Sequence, residues 1–297
     1  VLQQVEHFNN PGITANDAFK PVTRYFDRIT RPEQIIQSFP NAIQTMLDPA
    51  DCGPACISLC QDIQGQTFEY PEEFFKERIH SIRRPRPDDF QIKEAAEEIK
   101  KSKNPIIISG GGVFYSNAME ELSNFAIKHN IPVTQTVMGY STMKRDHSHY
   151  AGQIGGLGGK NTNDLAKETD LAIALGTKLA DFTTGSWANF ENENFKLVSL
   201  NVSRFDANKH LAQAVVGDAK VSLIELSKAL GDWKAGDEWN KKSQRELKVW
   251  NDHIDKESAP TNQEIPSYVQ VVGAIYRNSD PTDIAVTAAG GLVGEVA

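Results

Sequence analysis

All three cysteines of the chain fall in one stretch, DPADCGPACISLCQDIQG, as Cys52, Cys56 and Cys60. The spacing C-x3-C-x3-C raises metal and redox chemistry first. A tetrahedral zinc site takes one close cysteine pair and then a second pair, or histidines, farther on, and no second pair exists here. Read as a strand, ACISLC sends Ala55, Ile57 and Leu59 to one face and Cys56, Ser58 and Cys60 to the other. Two cysteines four residues apart on such a strand stand about 13 Å apart, too far to share an ion. The stretch therefore reads as a core strand packed on both sides, with structural thiols.

Three other groupings could carry chemistry. Gly110, Gly111 and Gly112 follow the apolar run PIIIS and precede a helical pattern, where a dinucleotide fold places phosphate. The third glycine of G-x-G-x-x-G is missing, and the next strand, IPVTQT, closes on Thr136 rather than on an acidic ribose ligand. Tight-turn geometry accounts for the glycines equally, so both readings stay open and the three remain candidate cofactor contacts. The loop GQIGGLGG, Gly152 to Gly159, reads either as a cofactor-contacting loop or as a packed turn. His147 and His149 form an H-x-H pair without a third ligand nearby and read as a loop pair. No G-x-S-x-G, Walker A or H-E-x-x-H pattern occurs in the first two regions of the chain. No catalytic residue and no metal ligand is assigned within the chain.

Composition narrows the partners. The net charge is −8, which argues against a nucleic-acid surface. No apolar run reaches the roughly 18 residues of a membrane span. RRPR, between prolines and aspartates, reads as a solvated connector rather than a basic patch. No signal peptide opens the sequence, and the expected setting is cytoplasmic with a small-molecule substrate.

The elements that must position these groups divide into four regions. Residues 1–82 hold a short strand, PVTRYFDRI, a helix from about Arg31 to Leu47 interrupted by Pro40, and the cysteine strand. Residues 83–230 alternate continuous apolar strands (PIIIS, IPVTQT, TDLAIALG, KLVSLNV and AVVGD) with amphipathic helices. That alternation predicts an α/β fold, a doubly wound parallel sheet covered on both faces. Residues 231–265 place Trp239, Leu247 and Trp250 on one helical face and read as a linker with a docking helix. Residues 266–297 begin a further unit with the helix SYVQVVGAIYRN and a buried strand, Ile284 to Ala288, before a glycine turn. A valine start and a last unit one strand long suggest a middle portion of a longer protein.

The order of segments is similar to a known family. KPVTRYFDRITRPEQ, the stretch Gly53-Pro54-Ala55-Cys56-Ile57 with Gln61-Asp62-Ile63, NPIIISGGGVFY, IPVTQT, TDLAIALGTKLADFTTG and VVGDAKVSLIEL resemble thiamine-diphosphate enzymes of the acetolactate-synthase type. The resemblance implies a central Rossmann-like domain. It is flanked by the later part of a pyrimidine-binding domain and the first elements of a diphosphate-binding domain. It also implies thiamine diphosphate and Mg²⁺ for the parent, a homodimer or homotetramer, and catalytic groups outside this chain. These are a glutamate upstream and a G-D-G…N-N motif downstream. Arg24 falls where relatives place a basic residue facing the substrate cleft. Gly290, Gly291 and Leu292 fall at the carboxyl end of the first strand of the cofactor-diphosphate domain. Within the family, VLQQVEHFNN, LNVSRFDANKHLAQAVVGDAKV and TAAGGLVGE resemble the branch that hydrolyses a C–C bond of a cyclic dione in inositol catabolism. Leu200-Asn201-Val202-Ser203 replaces the acidic D-I-D of flavin-holding relatives, so FAD is not expected. An acetolactate-synthase-like or decarboxylase parent, and a self-standing nucleotide-binding module, are the competing readings.

Overall fold

The computed structural model describes residues 9–10, 12–280, 282–286 and 290. The chain divides into two compact units, residues 1–84 and 85–297.

In the first unit, β1 (Tyr25–Ile29) pairs in parallel with β2 (Ala55–Leu59), from Tyr25 opposite Ala55 to Ile29 opposite Leu59. Helix α1 (Ile35–Leu47) runs through Pro40 without a break, and the short α2 (Gln61–Gln64) follows β2. The α1 residue Ser38 donates to the Asp27 carboxylate on β1. The cysteine strand differs from its expected burial. Leu59 is 50% exposed, Cys52 is exposed, Cys56 is half-buried and only Cys60 is buried. A pair of strands packed by one main helix has too few neighbours to bury both of its faces.

The second unit is built around six parallel strands: β3 (Pro105–Ser109), β4 (Val133–Gln135), β5 (Tyr150–Gln153), β6 (Leu171–Leu175), β7 (Lys196–Asn201) and β8 (Gln213–Val216). Their order is β5-β4-β3-β6-β7-β8. All five residues of β3 and of β6 are buried, as runs of Ile, Leu and Ala require when helices cover both faces. Helix α3 (Asp89–Lys101) starts on Asp88, whose carboxylate takes the amides of Phe90 and Gln91. The short α4 (Gly111–Tyr115) and then α5 (Met119–His129) follow β3. After β5 come α6 (Lys160–Glu168), α7 (Asp181–Thr184), α8 (Arg204–Ala207) and α9 (Ala219–Leu230). The α9 N-cap is Asp218. One face of the sheet carries a core with Ile92, Ile99, Leu122, Phe125, Leu223 and Leu226; the other carries Ile106, Ile108, Leu165 and Trp239.

Five strands were legible in the sequence; β5, YAGQ, was not. It is short, holds a glycine with φ near +110°, and sits at a sheet edge. On its open side, the carbonyls of Tyr150, Ala151 and Gln153 are taken by side chains and a loop amide. Gln244 Nε2 donates to Tyr150 O (2.8 Å), Asn161 Nδ2 and Thr162 Oγ1 donate to Ala151 O (both 3.0 Å), and Gly159 N donates to Gln153 O (3.1 Å). The edge is thus closed to further pairing.

Gln244 belongs to α10 (Asp237–Glu257), which buries Trp239 in one core and Leu247 in the other. The Trp239 indole N–H donates to Pro105 O at 2.8 Å. The last helix, α11 (Tyr268–Asn278), is tied to the end of α10 by Arg277, which donates to Ser258 O at 2.8 Å. The expected buried strand at Ile284 to Ala288 is corrected over its described part. Residues 284–286 are irregular, with Ile284 and Val286 about nine-tenths exposed. Among the described residues no strand pairs with them, and an unpaired strand has no partner for its backbone. Residues 287–289 lie outside the described residues.

Candidate functional site

In the six-stranded sheet the chain runs outward from β3 through β4 to β5, then returns to β6 on the other side of β3. The carboxyl ends of β3 and β6 therefore form the point where strand order reverses, the usual ligand crevice of an open α/β sheet. Gly110, Gly111 and Gly112 stand there, facing Gly176. Gly110 N donates to Leu175 O (2.9 Å), Gly112 N to Gly176 O (2.9 Å) and Val113 N to Gly110 O (3.1 Å). Two of the three turn amides are therefore spent on the neighbouring strand and its extension. A Cβ on Gly110 would stand 2.5 Å from Gly176 O and 2.6 Å from Thr177 Cβ. The glycines permit a backbone contact that no other residue allows.

The end of β7 is engaged in a similar way. Asn201 Nδ2 donates to Thr177 O (3.1 Å) and its Oδ1 accepts from Ser203 N (2.9 Å). Ser203 in turn caps α8 by accepting from Asp206 N.

The glycine-rich loop after β5 is a packed turn. Gly155 N donates to Asn163 Oδ1 (2.9 Å), Asn163 Nδ2 returns a bond to Gly155 O (3.0 Å), and Gly156 N donates to Phe182 O (2.6 Å). Gly155 has φ near +105°, and a Cβ there would fall on the Phe182 carbonyl.

In the first unit, Arg24 lies just before β1, at the amino-terminal end of the strand pair. Its amide donates to Pro54 O at 2.8 Å. Its side-chain stem crosses Gly53, where a Cβ would run into Arg24 Cγ. Gly53 thus sets the path of the Arg24 side chain, a dependence that the sequence does not announce. Gly290 has φ near +140°, while Gly291 and Leu292 lie outside the described residues.

Among the described residues no group of three or more His, Cys, Asp or Glu could hold a metal ion. No helix of the described residues is long and apolar enough to cross a membrane.

Residues 92–226, from α3 to within α9, match the family described as thiamine pyrophosphate enzyme, central domain. Residues 92–226 therefore belong to the thiamine pyrophosphate enzyme family, as a central domain. Several relatives carry the name 3D-(3,5/4)-trihydroxycyclohexane-1,2-dione hydrolase. The protein of that name from Clostridium perfringens is 47% identical over 77% of this chain and 36% of its own length. That from Clostridium tetani is 41% identical over 94% of the chain and 45% of its own length. The one from Bacillus licheniformis is 39% identical over the whole chain and 50% of its own length. The chain thus spans between about a third and a half of the relatives it matches.

Residues 92–226, matched as that central domain, lie within the second unit.

His147 and His149 are hydrogen-bonded, His147 to Ser123 Oγ and to the His149 amide, and His149 to Asn130 Oδ1 at the end of α5. His129 bonds separately to Trp233 O and Ser227 Oγ.

Proposed function

We propose that the sequence is the scaffold portion of a thiamine-diphosphate-dependent hydrolase. The parent cleaves a C–C bond of 3D-(3,5/4)-trihydroxycyclohexane-1,2-dione to give 5-deoxy-glucuronate in myo-inositol catabolism. One observation carries the reading: relatives of that name are 36–47% identical to the chain. Because the chain spans 36–50% of their length, the reading concerns the whole protein and not this portion alone.

In this reading the central domain, 83–230, and the docking helix within 231–265 are scaffold, flanked in sequence by 1–82 and 266–297. Arg24 borders the substrate cleft, with its path set by Gly53. Gly290, Gly291 and Leu292 border the cofactor diphosphate. Gly110, Gly111 and Gly112 serve as the turn that locks β3 to β6. The parent is a cytoplasmic homodimer or homotetramer that takes Mg²⁺ with its cofactor, and the 297-residue chain alone turns over nothing.

The test compares this chain with a polypeptide of the relatives' length that carries it. Calorimetric titration with thiamine diphosphate and Mg²⁺ is followed by assays on the cyclic dione and on pyruvate. Binding and dione hydrolysis by the longer polypeptide only is the expected result. Preference for pyruvate would move the parent to the acetolactate-synthase type. Dione hydrolysis by the 297-residue chain would overturn the scaffold reading. Tight binding of FAD or ADP, with no turnover by either polypeptide, would make the protein a nucleotide-binding module.

A further inference from the structure

Asn130, the left-handed residue that ends α5, follows His129 in the chain and bonds the His149 side chain, and the His149 amide bonds the His147 ring. The hydrogen bonds of the three histidines fix which nitrogen carries a proton. A carbonyl only accepts, so His129 Nδ1 donates to Trp233 O (2.7 Å), leaving Nε2 to accept from Ser227 Oγ (3.0 Å). Asn130 Nδ2 donates to Ala235 O and to Asp237 Oδ1 (both 3.1 Å), so its Oδ1 accepts from His149 Nε2 (3.1 Å). His149 Nδ1 then accepts from Ser148 Oγ (3.0 Å). His147 Nδ1 accepts the backbone N–H of His149 (3.1 Å), so its proton sits on Nε2, directed at Ser123 Oγ (2.9 Å). Each ring has one N–H and one lone pair, and every one is used. The bonds as they stand are those of three neutral rings.

We propose that His129, His147 and His149 form a proton-sensitive clasp that holds residues 233–237 and the 144–149 loop against α5 at neutral pH and releases them in acid.

The three rings do not respond alike. At His129 and His149 a second proton meets a serine hydroxyl, which can turn from donor to acceptor. At His147 the second proton displaces the His149 backbone N–H, which cannot turn and is left without its partner. His147 is therefore the trigger, and His149 and Asn130 carry its effect to Ala235 and Asp237.

The surroundings favour the neutral rings. Burial lowers the pKa of all three below the ordinary 6.5. Lys128 adds to this at His129, and His147 adds to it at His149, while Asp146 opposes it at His147. Asp237 of α10 accepts from Asn130 Nδ2, Asp232 and Lys234 flank Trp233 in sequence, and Lys144 and Arg145 lie on the 144–149 loop. From α9 the contact is Ser227, which also receives Lys128 Nζ (3.3 Å). Asn240 of α10 ties the same loop by donating to Ser148 O (3.3 Å). The segment 233–237 leads directly into α10, which covers the β5 edge, so release of the clasp exposes that edge. This inference is independent of the proposed reaction.

Amide hydrogen exchange of the chain at about pH 7.5 and about pH 5, either side of the histidine range, reads the clasp directly. After correction for intrinsic rates, the amides of His149 and Ala235 should lose protection in acid several-fold relative to Ile107 and Ile173. No loss, or an equal loss at all four amides, overturns the proposal. His147→Asn keeps an acceptor near the Nδ1 position that cannot take a proton, so it should shrink the acid-induced loss at His149 and Ala235. An undiminished loss in that variant also overturns it. If the variant does not fold, the pH series on the unaltered chain decides alone.

Discussion

Gly112 and Gly176 meet backbone to backbone: a Cβ on Gly112 would stand 2.6 Å from the Gly176 Cα, and one on Gly176 would stand 2.7 Å from the Gly112 Cα. This contact seals the point at which the sheet reverses its strand order. It also explains why a glycine ends β6 as well as β3. The sequence pattern drew attention only to the second of these.

Gly176→Ala should therefore destabilise the second unit strongly. Gly176 has φ near +58°, a conformation that costs an alanine about 1 kcal/mol or more. The added methyl also meets backbone, which cannot move aside. A total loss of roughly 2–4 kcal/mol in urea unfolding followed by circular dichroism is expected. A loss under about 0.5 kcal/mol, the size of an ordinary surface change, would show that the turns separate easily.

Trp239 fastens α10 through a single polar bond and a large apolar surface. Trp239→Phe keeps most of the surface but leaves Pro105 O without its donor. The expected cost is about 1–2 kcal/mol. Trp239→Ala also removes the buried ring, and the expected cost rises to about 3–5 kcal/mol. Equal losses for the two variants would mean that the hydrogen bond, not the packing, secures the helix.

Arg24 and Gly53 should behave as one functional pair in a polypeptide active on the dione. Arg24→Ala should weaken turnover. Gly53→Ala should do the same by forcing the Arg24 stem aside. The double variant should be no worse than Arg24→Ala alone, within about 0.5 kcal/mol in kcat/KM. Additive losses would separate the two residues and remove Gly53 from any positioning role.

The buried histidines give stability a definite pH slope. Their folded pKa values lie below the ordinary 6.5. Just below pH 6.5 the unfolded chain therefore binds more protons than the folded one, and stability rises with pH through that window. The histidine contribution is fully present above about pH 6.5 and is lost as the pH falls through the unfolded value toward the folded ones. Urea midpoints of the second unit should fall between about pH 7 and pH 5, and the fall should be smaller in His129→Gln with His147→Asn. A midpoint that holds steady or rises on acidification contradicts the burial assigned to these rings.

Local signals determined a good part of this protein. PIIIS, LAIAL and KLVSLN are continuous apolar runs of strand length, and such runs belong in a parallel sheet whatever lies around them. Asp88 and Asp218 open their helices through bonds that span two or three residues. The order of these pieces was enough to reach the family. Tertiary structure alone decided the rest, because each remaining feature depends on residues far apart in the chain. YAGQ is a strand only because β4 lies beside it and α10 covers its open edge. ACISL is half-exposed because burial is set by the number of neighbours, not by the strand's own alternation. His147 and His149 become a bonded cluster only when Asn130 and residues 233–237, up to a hundred positions distant, fold back onto them. A spacing rule cannot contain that information, since the energy of a buried polar group depends on partners that only the packed chain supplies.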